Sequence, residues 1–176
     1  MKGDSKNSRA DIPVAIAGFG AIGRKVGERL DEGIPGLRLA AVSARNLERA
    51  AAVISEYRHS VPVVSVDKLA KFADIVIECA PAEAFASIAE PVVRAGLTLV
   101  VISVGALIAN PQITEMAKEN GARIVVPTGA LLGLDAVQAA AQGIVESVRM
   151  VSRKPPAGLV GAPFLVDNGI DISSLT

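Results

Sequence analysis

Apolar positions along this chain alternate between two rhythms. Short apolar runs at Ile12 to Ala17, Leu37 to Val42, Ala73 to Cys79, Thr98 to Ile102 and Arg123 to Val126 predict buried strands, and Val61 to Val64 adds a shorter one. Between them the apolar residues recur with a helical period. Ile22, Val26 and Leu30 stand at i, i+4 and i+8 with Gly23 and Gly27 beside them, which predicts a helix whose small-residue face can approach a sheet closely. Gly33 and Pro35 end it. Further helices are predicted over Leu47 to Tyr57, Glu83 to Ala95 and Pro111 to Asn120, with a weak one near Lys68. The segment from Pro111 is well punctuated: Asn110 is placed to cap it, Pro111 suits its first turn, and Gly121 can close it in the left-handed conformation.

After Pro127 the rhythm changes. Gly129 to Gly133 reads as a loop, Asp135 to Gln142 as a helix, and Ile144 to Ser152 as a strand with many polar residues. Arg153 to Thr176 has three prolines, three glycines and no helical period, so it reads as loop or frayed tail. At the other end, Met1 to Asp11 is polar and reads as a disordered leader, without the apolar stretch of a signal peptide.

Composition supports the strand-helix alternation. Hydrophobic residues make up 51% of the 176 residues and aromatics only 3%, so Ala, Val, Ile and Leu must build the core, as in a parallel sheet covered by helices. The 18 basic and 18 acidic residues cancel, and no basic stripe with interleaved aromatics exists, which argues against a nucleic-acid partner. No apolar run is long enough to span a bilayer, so no membrane partner is expected and a cytoplasmic location is. With one cysteine, Cys79, and one histidine, His59, no metal site is expected.

The sharpest chemical signal is Gly18-Phe19-Gly20-Ala21-Ile22-Gly23, a GxGxxG turn between a predicted strand and a predicted amphipathic helix. In that context Gly18 permits the tight turn, Gly20 lets main chain approach a pyrophosphate, and Gly23 lets the helix pack on the strand. The helix's unpaired N–H groups at Ala21, Ile22 and Gly23, with its positive dipole end, would face the phosphates. The bland alternative is a strand-helix turn without a ligand. The fold class is therefore α/β: a Rossmann-type doubly wound parallel sheet over 12–127, followed by the incomplete start of a second α/β domain, with catalytic and dimerisation roles, over 128–176.

The cofactor is expected to be NAD or NADP. An acidic residue usually follows the glycines by about 20 positions and binds the ribose 2′-hydroxyl. Here the second strand ends Val42-Ser43-Ala44-Arg45-Asn46, so the hydroxyl of Ser43 and the guanidinium of Arg45 stand where a 2′-phosphate could be held. That favours NADP or dual use, the alternative being a solvated Arg45. Glu78-Cys79-Ala80-Pro81 and Ser103-Val104-Gly105-Ala106-Leu107 end the fourth and fifth predicted strands, where small residues leave room for the nicotinamide ribose; Cys79, Ala80 and Ser103 are the candidates for contact. A purely structural reading, tight strand-helix turns, stands beside it. Cys79 has no base near it in sequence and reads as a small buried hydrophobe, and His59 as an ordinary surface histidine.

Taken with Pro127-Thr128-Gly129-Ala130-Leu131-Leu132-Gly133-Leu134-Asp135 and Arg153-Lys154-Pro155-Pro156, these motifs resemble the L-aspartate dehydrogenases in order and spacing, from Ile12 to Pro163. Thr128 stands where Ser is common in that family, and Leu132 where Gly is common. The resemblance implies a homodimeric oxidoreductase that interconverts L-aspartate with oxaloacetate and ammonia through iminoaspartate, hydride passing to or from nicotinamide C4, with a place in NAD biosynthesis or aspartate metabolism. It also implies that the backbone around Ala130 meets the nicotinamide end, where Gly129 and Gly133 would spare a ligand any Cβ. In the family, an asparagine that meets the cofactor and the histidine that serves as general acid or base lie in segments beyond the position of Thr176. No catalytic residue is therefore assigned here, and His59 is in the wrong place to substitute. Asp135 reads as a helix-start residue and Lys154 as a solvated lysine. The alternative to the enzyme is a non-catalytic NAD(P)-binding or regulatory protein. A homoserine or dihydrodipicolinate type of oxidoreductase fits the fold but accounts poorly for Pro127 to Asp135.

Overall fold

The computed structural model describes residues 10–129, 133–151 and 153–172, and the leader expected over 1–11 lies almost wholly outside them. The chain divides into two compact units, Met1–Ala130 and Leu131–Thr176.

In the first unit, β1 (Ile12–Ala17), β2 (Leu37–Ser43), β3 (Ile75–Glu78), β4 (Thr98–Val101) and β5 (Arg123–Val125) form one parallel sheet in the order β2-β1-β3-β4-β5. Five helices connect them: α1 (Ala21–Glu32), α2 (Leu47–Ile54), α3 (Phe85–Arg94), α4 (Val104–Ala109) and α5 (Pro111–Glu119). Alternate residues of β1 serve opposite faces of the sheet. Val14 and Ile16 join Phe19, Leu30, Ala50 and Ile54, so α1 and α2 cover that face. Ala15 and Ala17 join Phe85, Ile88, Val92, Leu99 and Ile113, so α3 and α5 cover the other. Both faces are buried, which is why the strands read as nearly continuous apolar runs.

The short strand expected at Val61 to Val64 is reduced to a single parallel bridge between Val63 and Val42. Pro62 lies inside that segment and has no N–H to donate, so only two backbone bonds hold it: Val42 N–H to the Pro62 carbonyl and Val64 N–H to the Val42 carbonyl. Counting this remnant beside β2, the order is the doubly wound 3-2-1-4-5-6 of dinucleotide-binding sheets. The switch of direction falls between β1 and β3, the predicted first and fourth strands.

Several boundaries differ from expectation for local reasons. The residues after β4, read as a strand end open to a ligand or as a tight turn, form α4, and Asn110 closes it by donating its side-chain N–H to the Ala106 carbonyl. Asn110 consequently makes no side-chain cap on α5, although Pro111 does open that helix and Gly121 follows it at φ +67°. The stripe expected on α1 also shifts: Ile22 is exposed, and the buried face is Gly23, Gly27, Leu30 and Asp31.

In the second unit, α6 (Leu134–Ala140) overlaps the helix expected over Asp135 to Gln142, starting one residue earlier and ending two residues earlier, and Asp135 sits in its first turn without a side-chain cap bond. The strand expected over Ile144 to Ser152 does not form: none of 144–151 pairs with another strand, and Ser152 lies outside the described residues. A strand lacking a neighbour cannot satisfy its backbone as sheet. The expected loop-like tail contains a 3₁₀ turn, Pro156–Gly158, and a short helix, α7 (Pro163–Asp167), opened by its proline and closed by Asn168 Nδ2 donating to the Phe164 carbonyl. No helix among the described residues is long and apolar enough to cross a membrane.

Candidate functional site

The glycine turn joins β1 to α1 at the carboxyl edge of the sheet, at the switch point. Gly18 takes φ +99°, and a Cβ built there would lie 2.6 Å from the Cys79 carbonyl carbon and 2.7 Å from the Ala80 nitrogen. Only glycine fits both the conformation and the space. Its N–H donates to the Ser43 carbonyl at 2.8 Å, and the Cys79 N–H donates to the Ala17 carbonyl at 2.7 Å, so the ends of β1, β2 and β3 are pinned together. A Cβ on Gly23 would meet the Gly18 carbonyl oxygen at 2.0 Å, and one on Gly27 would meet Tyr57 Oη at 2.9 Å and a Phe19 ring carbon at 3.0 Å. These two glycines let α1 lie against the turn and the first strand.

Gly20 differs from both. Its φ is −83°, and a Cβ there would find no atom within 4 Å. Neither strain nor packing explains a glycine at this position; open space above the main chain does fit a ligand lying against it. Gly20 is the N-cap of α1 and provides no side-chain cap, while the first backbone bond of the helix runs from Arg24 N–H to the Gly20 carbonyl at 3.0 Å. The N–H groups of Ala21, Ile22 and Gly23 therefore precede the helical ladder at its positive end, Ala21 and Ile22 being exposed and Gly23 buried, and they form a donor set for a phosphate or pyrophosphate. Exposed Ile22 borders the same place.

At the end of β2, Ser43 is buried and fixes the turn through its carbonyl, whereas Arg45 is exposed. Asn46 caps α2 by accepting the Arg49 N–H at 2.8 Å. No acidic side chain stands between Ser43 and Asn46.

On the other side of β1, Glu78 ends β3 and is fully buried. One carboxylate oxygen accepts the Ala80 N–H at 2.9 Å and the Ser103 hydroxyl at 3.0 Å; the other accepts the N–H groups of Ser103 at 2.9 Å and Ile102 at 3.2 Å. The ends of β3 and β4, and with them Ala80 and Ser103, are thus tied by one side chain. Sequence reasoning placed Glu78 in a motif but gave it no role; the available signal was a carboxylate closing the otherwise apolar run Ile75-Val76-Ile77. Cys79 points to the other face, half-buried, and burial followed by the nearby Glu78 charge pushes its thiol up to about 11, unsuited to a nucleophile near neutral pH.

His59 is exposed, yet it is not a free surface residue. Its Nδ1 lies 3.0 Å from a carboxylate oxygen of buried Asp31, which also accepts the Arg58 and His59 N–H groups at 2.9 and 3.1 Å. Burial raises the Asp31 pKa, but the bonds from Arg58 and His59 outweigh it and hold the carboxyl below its ordinary range. Two open grooves of about 460 and 610 Å³ meet near His59 and Ser60; they contain no residue of the glycine turn. Ala130 lies outside the described residues. Gly129 and Gly133 both take positive φ with nothing near a built Cβ, and Lys154 is exposed.

The turn, the switch point and the sheet order define a dinucleotide-binding domain, and comparison with known proteins bears this out. Residues 18–127 match the family described as the NAD-binding domain of homoserine dehydrogenase. An L-aspartate dehydrogenase 3 from Bordetella bronchiseptica is 50% identical over 97% of this chain and 63% of its own length. An L-aspartate dehydrogenase from Bradyrhizobium diazoefficiens is 48% identical over 97% of the chain and 60% of its own. Among solved structures, aspartate dehydrogenase from Thermotoga maritima superposes with a TM-score of 0.57 at 22% identity, over 74% of this chain and 52% of that one. The chain belongs to this family of NAD-binding domains; it is similar in sequence to L-aspartate dehydrogenases and spans about 60% of the length of the curated relatives it matches.

Proposed function

We propose that this chain is the nicotinamide-dinucleotide half of an amino-acid dehydrogenase that interconverts L-aspartate with oxaloacetate and ammonia. The observation that carries the dinucleotide part is the Gly18–Gly23 turn at the switch point, with open space above Gly20 beside an uncapped helix N-terminus. The substrate part rests on the sequence likeness to L-aspartate dehydrogenases.

In this reading the N–H groups of Ala21, Ile22 and Gly23 hold the pyrophosphate, and Gly20 keeps the approach clear. Ser43 and Arg45 border the adenine ribose, where the lack of an acid and the presence of a guanidinium favour a 2′-phosphate, so the cofactor is NADP or either dinucleotide. Ala80, Ser103 and the main chain near Ala130 border the nicotinamide half. When bound, the nicotinamide would supply a hydride acceptor for the aspartate Cα, the amine would give up a proton, and water would convert the resulting iminoaspartate into oxaloacetate and ammonia. Proton transfer needs a titratable group within reach. Fully buried Glu78 and the Cys79 thiol do not meet that need, so we assign no catalytic acid or base within these residues and place it in the part of the relatives that this chain does not span. Residues 12–127 form the cofactor domain, 128–176 the opening of the catalytic and dimerisation domain, and the assembly is a cytoplasmic homodimer acting in aspartate metabolism or NAD biosynthesis.

The test is turnover of oxaloacetate and ammonium with NADH or NADPH, run beside cofactor titration. The expected result for the 176 residues alone is cofactor binding without turnover, and turnover once the sequence is extended by the corresponding part of a relative. Turnover by the 176 residues alone would contradict the assignment of the acid or base.

A further inference from the structure

The carboxylate of Glu78 has no ligand to meet, since it is fully buried, yet it holds four hydrogen bonds at the sheet edge where the proposed dinucleotide would lie. All four come from N–H or O–H donors, and three of those donors belong to residues just beyond β4. Sheet order decides which part of a dinucleotide this affects. With the pyrophosphate over the end of β1, β2 lies on one side and β3 and β4 on the other. A ligand whose adenosine half turns toward Ser43 must extend its second half over Ala80 and Ser103.

Ser103 adds a constraint of its own. Its hydroxyl lies 3.0 Å from a Glu78 carboxylate oxygen and 3.2 Å from the Ala80 carbonyl oxygen. Both neighbours are acceptors, and a hydroxyl has one hydrogen, so that hydrogen is spent inside the protein. What half-buried Ser103 can offer a ligand is a lone pair.

Resting on the reading that the site binds a nicotinamide dinucleotide, we propose that Glu78 is a positioning residue for the nicotinamide half. It locks the ends of β3 and β4 together and turns the Ser103 hydroxyl into an obligate acceptor for a hydroxyl or amide N–H donor on that half of the ligand. A glutamine at this position keeps the volume but presents an NH2 group to N–H donors on one side, so the two strand ends must part.

The experiment compares two probes on the same protein, titrating NADPH and NADH against ADP, which carries the adenosine and pyrophosphate but lacks the second ribose and the nicotinamide. For Glu78→Gln the expected result is a loss of tenfold or more in affinity for the dinucleotides, with ADP changed less than twofold. Equal losses for both probes would reduce Glu78 to general stability, and no loss for either would remove it from the site; each overturns the inference. If Glu78→Gln fails to fold, Ser103→Ala carries the same comparison, with a three- to tenfold loss expected for the dinucleotides only, and an unchanged or uniform response counting against the proposal. Failure of the unaltered chain to bind any of the three probes would sink the dinucleotide reading itself and is recognisable as such.

Discussion

In the proposed reading, cofactor choice turns on Arg45. It stands exposed after β2, with no acid between Ser43 and Asn46 to repel a 2′-phosphate. A charge-assisted hydrogen bond contributes about 1.5–3 kcal/mol, so Arg45→Ala is expected to weaken NADPH about tenfold or more and leave NADH almost unchanged. Equal effects on both cofactors would return Arg45 to the role of a solvated loop residue. A second single-residue effect belongs to Asp31, whose carboxyl is held below its unfolded value by the Arg58 and His59 bonds. The sign follows from linkage: the stabilisation is complete above the unfolded pKa and is lost as pH falls through the lower folded one. Melting temperature should therefore drop on acidification below about pH 4, and Asp31→Asn should flatten that limb while lowering stability near neutrality by about 1–3 kcal/mol. An acid limb identical in the variant would assign it to other carboxylates. Neither the Asp31 nor the Glu78 network could be read from sequence, because Asp31 meets residues 27 and 28 positions away and Glu78 meets residues 24 and 25 positions away.

Elements were legible wherever periodicity and local punctuation agreed. Ile12–Ala17 forms the strand its apolar run predicts, and the helix beginning at Pro111 closes before Gly121 in the left-handed conformation as expected. Elements escaped where a non-local partner decides. Val63 finds one bridge instead of a strand because Pro62 breaks the ladder, and α4 forms where the small residues suggested a strand end open to a ligand or a tight turn. The periodicity of α1 misled about Ile22, since the helix packs on its glycines rather than on its first apolar residue. That packing carries an element-scale prediction. A Cβ on Gly23 would sit 2.0 Å from the Gly18 carbonyl oxygen, a main-chain atom with little room to yield. Gly23→Ala should cost about 3 kcal/mol or more in denaturant unfolding and disturb the turn with it. Unchanged unfolding would mean that α1 does not lie this close to β1.

At the scale of the molecule, the two units differ in how they treat apolar side chains. The first buries them on both faces of its sheet, whereas in the second Ile144, Val148, Met150, Val160, Phe164 and Val166 are each at least 66% exposed. Apolar surface of this kind seeks a partner. The 176-residue chain is accordingly expected to self-associate at micromolar concentration in sedimentation experiments, and Val148→Lys with Met150→Lys to reduce that association without affecting the first unit. A monodisperse monomer across that range would contradict the expectation. The catalytic half of the account is legible only through family likeness, because the chain spans about 60% of its relatives and no acid or base is assigned among its residues. The cofactor half is legible from physics: a glycine turn at the right place in a strand-helix alternation.

The most direct test of that half is a calorimetric titration of NADPH and NADH into the unaltered chain and into Gly20→Ala. Gly20 has ordinary φ and open space around it, so alanine there should alter stability by less than about 1 kcal/mol. Saturable, one-to-one binding by the unaltered chain is expected, and its loss in Gly20→Ala at preserved stability. Binding that survives in Gly20→Ala, or no binding by the unaltered chain, would contradict a pyrophosphate lying over the Gly18–Gly23 turn.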